Sequence, residues 1–150
     1  PARIEFSMTD NGKVTYQDPC RLGRQLGVID EPRQLIAAVP GVDLLEMGRR
    51  GADATCCGTA GFIHCDAASR QLQARRLQMA AETGATKLLT ACPKCLLHFR
   101  CTKSEDRRRA RPPVGIEIED LTVYLAGQLA TSRQSSQPAT DRTGPTGEQS

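Results

Sequence analysis

Hydrophobic and polar positions change period repeatedly along this chain. Lys13-Val14-Thr15-Tyr16-Gln17 alternates with β-branched and aromatic residues, the two-residue period of a short strand. Asp10-Asn11-Gly12 ahead of it is a turn signal, and residues 1–12 read as a linker or the end of a preceding segment. Asp18-Pro19 stops the strand. Asp18 is placed to cap a helix and Pro19 suits its first turn, so Cys20 falls where a strand hands over to a helix N-terminus. Glu31 to Val39 reads as a further helix closed by Pro40-Gly41, and Val42 to Met47 as a second strand. A long helix is expected from about His64 to Thr83, with Gly84 as its C-cap. On it Leu72, Met79 and Ala80 supply the apolar face, and Arg70, Arg75 and Arg76 the solvated one.

Lys87 to Thr90 is a third strand and runs straight into Cys92-Pro93-Lys94-Cys95. Pro93 opens a helix that continues through Leu96, Leu97 and Phe99. Arg107 to Pro113 is a charged linker, Val114 to Ile118 alternates as a fourth strand, and Glu119 to Leu129 forms the last helix. From Thr131 onward the Ser/Thr/Gln/Pro/Gly-rich composition cannot bury enough apolar surface to order itself. Strand and helix alternate throughout. The expected fold is therefore α/β, a short parallel sheet of about four strands flanked by helices over residues 13–130.

Composition narrows the function. A net charge of +3 with three Phe, two Tyr and no Trp gives neither the basic surface nor the stacking platform of a nucleic-acid binder. No apolar run approaches the roughly 18 residues that span a bilayer. Pro1-Ala2-Arg3-Ile4-Glu5-Phe6 has no initiating Met and no apolar signal core, and reads as the start of a fragment or processed product. Seven cysteines form an odd set without a secretory signal, which favours thiols held by metal in a reducing, cytoplasmic compartment over disulfides.

Five of those cysteines follow a pattern. Cys20, the pair Cys56-Cys57, and Cys92 with Cys95 are spaced C-x35-CC-x34-C-x2-C. Each group follows a predicted strand, and ligands of parallel sheets bind beyond the carboxyl ends of the strands, so the fold gathers them at one edge. Soft thiolates select zinc, copper(I) or iron–sulfur clusters. Five exceed the four that structural zinc needs, and adjacent side chains suit a centre with several metal ions better than a single one. A zinc site using four of them, or ordinary buried cysteines, remain the alternatives. Cys20 and Cys92 sit beside prolines at expected helix starts, where free N–H groups favour an anionic centre. Gly58 and Gly61 would let backbone approach it closely.

The residues around these cysteines also resemble a family. Tyr16-Gln17-Asp18-Pro19-Cys20-Arg21-Leu22-Gly23-Arg24 is similar to a Y-H-D-P-C-x-L-G-R motif, and Pro40-Gly41-Val42, Ala81-Glu82-Thr83-Gly84-Ala85 and Thr90-Ala91-Cys92-Pro93-Lys94-Cys95 match further signatures. Together they resemble the CCG, or cysteine-rich, domain of heterodisulfide reductase B- and D-type subunits. The same domain occurs in iron–sulfur subunits of glycolate, lactate and glycerol-3-phosphate oxidising enzymes. The resemblance implies that Cys20, Cys56, Cys57, Cys92 and Cys95 ligate a noncubane [4Fe–4S] cluster. It further implies electron transfer and thiol/disulfide chemistry with a partner: a second such half or a ferredoxin-like domain, upstream or in another chain. The alternative within the family is an electron-transfer subunit serving a flavoprotein that oxidises a 2-hydroxy acid or glycerol-3-phosphate. Outside the family the alternative is a zinc-stabilised interaction module. A flavoprotein or membrane cytochrome partner would hold the chain at the inner membrane.

Gln17 stands where the family has His, and Thr59-Ala60-Gly61-Phe62 where it has Ala-Gly-Gly-Gly. One motif is present, whereas the disulfide-cleaving subunits carry two. Cys65 and Cys101 are read as small buried hydrophobes on helices rather than ligands. His64 and His98 are read as surface or packing residues, His64 also as a candidate proton donor. Lys94 either tunes the cluster or is solvated. Arg24 is expected in a helix-surface salt bridge, with a grip on a substrate carboxylate as the sharper reading. Arg107 to Arg111 is expected to be a solvated loop.

Overall fold

The computed structural model describes Phe6 and residues 12–59, 66–108 and 115–129. Four parallel strands, β1 (Lys13–Gln17), β2 (Asp43–Leu44), β3 (Lys87–Thr90) and β4 (Glu117–Asp120), lie in the spatial order β2-β1-β3-β4. Parallel neighbours need crossover helices. Here these are α1 (Asp30–Ala37), α2 (Ala67–Glu82) and α3 (Pro93–Arg108), and α4 (Leu121–Gly127) follows β4. The expected α/β class is present.

Side-chain alternation along β1 builds a layer on each side. Val14 and Tyr16 pack with Ile36, Leu89, Leu121 and Tyr124, so α1 and α4 cover that face. On the other face Leu88 and Ile118 meet Leu77, Ala80 and Phe99 from α2 and α3, and this core includes Cys57 and Cys95. The chain runs from β1 outward to β2, then returns across to β3 and β4. The order therefore reverses between β1 and β3, the switch point where such sheets hold ligands. Cys20 follows β1 and Cys92 follows β3 at that crevice.

Several local readings are corrected. Asp18 does not cap a helix. The segment after Cys20 is a π-helical turn, Arg21–Gln25, whose cap residue makes no side-chain bond. Asp18 instead accepts from Gly51 N at 2.8 Å and pairs with Arg33 at 2.8 Å, because a buried carboxylate satisfies itself against a fixed cation first. β2 is two residues long rather than six: Glu46 is drawn away to Arg33 at 2.6 Å and Met47 turns into the core. β4 lies later than expected, and Asp120 caps α4 by accepting from Thr122 N at 2.8 Å. α3 runs through Arg107 and Arg108, which the sequence placed in a linker.

The buried face of α2 is the largest correction. Leu72 is 39% exposed, whereas Arg76 has 0% exposure and lies inside with Ser69, Gln73, Leu77 and Ala80. The inward stripe keeps helical spacing, but three of its five residues are polar. The helix starts at Ala67, where Asp66 accepts from Ser69 N at 2.7 Å, and Gly84 follows its C-cap at φ 78° as expected. Gly61, Phe62, His64, Cys65, most of the leading linker, residues 109–114 and the tail from 130 onward lie outside the described residues.

Candidate metal centre

Three loops at the carboxyl edge of the sheet bring the five patterned cysteines together. Cys57 and Cys95 are buried, Cys56 and Cys92 half-buried and Cys20 exposed, and all are free thiols. Cys95 Sγ lies 3.2 Å from Cys57 Sγ, well beyond the roughly 2 Å of a disulfide. Cys92 neighbours Cys95, and Cys56 neighbours both Cys57 and Cys20. The sulfurs thus form a row, Cys92–Cys95–Cys57–Cys56–Cys20, whose middle pair, Cys95 and Cys57, is buried and whose Cys20 end is at the surface. Among the described residues no three His, Cys, Asp or Glu side chains gather round one ion-sized point.

The row shares protons unequally. The Cys95 thiol donates to Cys57 and lowers Cys57 to about 5, against burial and with help from Thr59, whose Oγ1 is 3.1 Å from the sulfur. The same bond, then burial and the neighbouring sulfurs, push Cys95 far up. Burial also raises Cys56, opposed by the Gly58 N–H and assisted by Cys57 and Cys20. Crowded thiolates repel one another, so full deprotonation requires a compensating positive centre.

Polar contacts to loop backbone hold the row in place. Gln17, at the end of β1, donates from Nε2 to Asp18 O at 2.8 Å and to Thr55 O at 3.2 Å, bridging the segments that carry Cys20 and Cys56. Arg24 donates to Ala54 O at 2.9 Å, so it braces the same segment, and among the described residues it does not form the salt bridge expected of it. Asp18 ties Gly51 to the Arg33 clamp. At Gly58 (φ 91°) an added Cβ would stand 2.5 Å from Ser69 O, so this glycine lets the Cys57 loop dock against α2. Ser69 Oγ donates to Gly58 O at 2.6 Å and closes that contact.

Further residues border the site that the sequence does not assign to it: Gln73 is not singled out, His98 reads as a surface or packing residue and Arg76 as solvated. His98 lies 3.4 Å (Nδ1) from Cys57 O and 2.8 Å (Nε2) from Gln73 Nε2, and Gln73 Oε1 accepts from Thr102. Arg76 reaches beneath the row from α2. Their signal was the helical spacing of Gln73 and Arg76 with Leu77 and Ala80, which a purely apolar criterion passes over. Cys101 is exposed on α3 and apart from the row, not the buried hydrophobe expected. Lys94 is exposed between Cys92 and Cys95.

Residues 14–100 match the cysteine-rich domain family, CCG. The chain belongs to that family. It is 33% identical over 132 residues to the D-type subunit of the dihydromethanophenazine:CoB–CoM heterodisulfide reductase from Methanosarcina acetivorans, covering 87% of this chain and 31% of the relative. It is 37% identical over 134 residues to a probable glycolate oxidase iron–sulfur subunit of Bacillus subtilis, covering 85% and 27%. The B-type subunit of the fumarate reductase (CoM/CoB) from Methanothermobacter marburgensis is 34% identical over 92 residues, covering 60% and 18%. This cysteine-rich domain is thus related to oxidoreductase subunits, iron–sulfur subunits among them, and spans about a third or less of their length.

The residues of this cysteine-rich domain fit such a cofactor. Five free thiols at a sheet switch point offer soft donors of the kind that iron–sulfur centres take. A buried guanidinium nitrogen, Arg76 Nη2, has no partner among the described residues. That is an arrangement that accepts a negatively charged group.

Proposed function

We propose that Cys20, Cys56, Cys57, Cys92 and Cys95 hold a noncubane [4Fe–4S] cluster, and that the chain is the cluster-bearing part of a heterodisulfide-reductase-like oxidoreductase. The observation that carries this reading is the single row of five free sulfurs at the β1/β3 switch point. When bound, the cluster supplies one-electron transfer next to a thiol or disulfide sulfur. The chain's own residues fix the donors: Gln17, Asp18 and Arg24 hold the loops of Cys20 and Cys56, and Gly58 docks the Cys57 loop onto α2. Exposed Cys20 marks the side open to a partner or substrate.

Because the chain spans about 31% of the heterodisulfide reductase chain it resembles, its activity calls for a further cluster-bearing half or domain. We place it in a reducing, cytoplasmic compartment, peripheral to the inner membrane through a partner. No described helix is long and apolar enough to cross a bilayer. A second reading, electron relay from a flavoprotein oxidising a 2-hydroxy acid, draws on the likeness to the probable glycolate oxidase iron–sulfur protein.

Iron and sulfide analysis with EPR on anaerobically purified chain tests the site. About four irons per chain are expected, and each of the five Cys→Ser variants should lose iron or change the spectrum. Stoichiometric zinc without iron, or unchanged iron across all five variants, would defeat the assignment. A thiol or disulfide that perturbs the EPR signal favours the reductase reading over simple relay.

A further inference from the structure

Arg76 is a cation with no solvent exposure and no carboxylate at ion-pair distance among the described residues. Its Nε donates to Gln17 Oε1 and its Nη1 to Arg49 O at 2.8 Å, both neutral acceptors. Nη2 is buried and unpartnered. The nearby carboxylates, Asp18 and Glu46, are both engaged by Arg33. Burial dominates and draws Arg76 down to about 10, still fully charged at neutral pH. A buried charge without an opposite charge costs several kcal/mol, so a fold that keeps one has an anion for it to meet. Besides those two carboxylates, the acidic groups near it are sulfurs. Cys95 lies within electrostatic range of Arg76, and Leu77 beside it packs in one core with Cys57 and Cys95. Through Gln17 the same guanidinium is linked to Thr55 O, next to Cys56.

We infer that Arg76 is the built-in counter-charge of the thiolate row, a fixed cation beside its buried middle that stabilises the electron-rich form of the cluster and sets its reduction potential. This rests on the cluster reading above. Reduction adds one electron, drawn in an assay from a one-electron donor such as dithionite. A positive charge held in a dry interior favours the more negative state, where screening is weak. Arg76 is thus a positioning residue that acts through charge, with Gln17 aiming it.

The test is a redox titration followed by EPR on the full chain, reconstituted anaerobically, with iron content and the melting temperature of the iron-free chain measured beside it. Arg76→Gln should keep iron but make reduction about tenfold less favourable, a downward shift of about 59 mV for one electron. Arg76→Lys should melt as low as Arg76→Gln yet hold the potential near that of the unaltered chain. Gln17→Glu, which neutralises the guanidinium without removing it, should shift the potential downward as well and covers the case in which Arg76→Gln does not fold. Iron-loaded variants with unmoved potentials would overturn the inference alone, as would equal shifts in Arg76→Lys and Arg76→Gln. An unaltered chain that binds no iron would overturn the cluster reading and the inference with it.

Discussion

At the scale of single residues, Gln17 does what a histidine in its place could not. A neutral imidazole offers one donor and one acceptor, whereas the Gln17 amide donates to two carbonyls and accepts from Arg76. Gln17→Ala should therefore cost about 1–3 kcal/mol in urea unfolding of the iron-free chain, since it strands a charged donor. Gln17→His should cost less, because it keeps Arg76's acceptor. Equal losses in the two variants would show that the bridge to Thr55 O, and not Arg76, carries the energy. Cys101 belongs to the same scale. Exposed on α3 and apart from the row, it can be removed. A Cys65→Ala, Cys101→Ala double variant should retain its iron, and iron loss without unfolding would redraw the ligand set.

At the scale of elements, the site depends on how loops are pressed against helices. Gly58 meets Ser69 O of α2 so closely that any side chain must displace one of the two. Gly58→Ala should destabilise the iron-free chain by more than about 1 kcal/mol, from the left-handed φ alone, with the clash added. The same variant should bind less iron, since Cys57 precedes the displaced residue; a stable chain with full iron would show that α2 yields. The Asp18–Arg33–Glu46 clamp joins the turn before Cys20, helix α1 and the segment after β2. Asp18 is almost fully buried, so Asp18→Ala leaves a half-buried cation with one partner fewer and should cost about 3 kcal/mol in the same assay. A change below about 1 kcal/mol would place the pair among surface ion pairs that contribute little.

At the scale of the whole molecule, electron count sets what the chain can do. Reducing a disulfide takes two electrons, and one cluster delivers one at a time. The chain carries one five-cysteine row and spans about a third of its reductase relative. It should bind a cluster, and shift its EPR signal with added thiol or disulfide, yet fail to turn over a disulfide alone. Steady reduction by the isolated chain with a one-electron donor would show that a second cluster is not required.

The sequence by itself determined the α/β alternation, the grouping of Cys20, Cys56, Cys57, Cys92 and Cys95 behind strands, and the Gly84 helix stop. These depend on covalent spacing and local backbone preference, which neighbours in the chain fix. Tertiary structure alone decided which face of α2 turned inward. Arg76 and Gln73 read as surface residues by type, and they are buried because the sheet end supplies Gln17 and α3 supplies Thr102 and His98 as partners. It also decided that Asp18 answers Arg33 and Gly51 instead of capping a helix, and that β2 ends after two residues. A polar side chain takes the partner that desolvation makes most costly to leave unmet, and that partner lies 13 or more residues away in each of these cases.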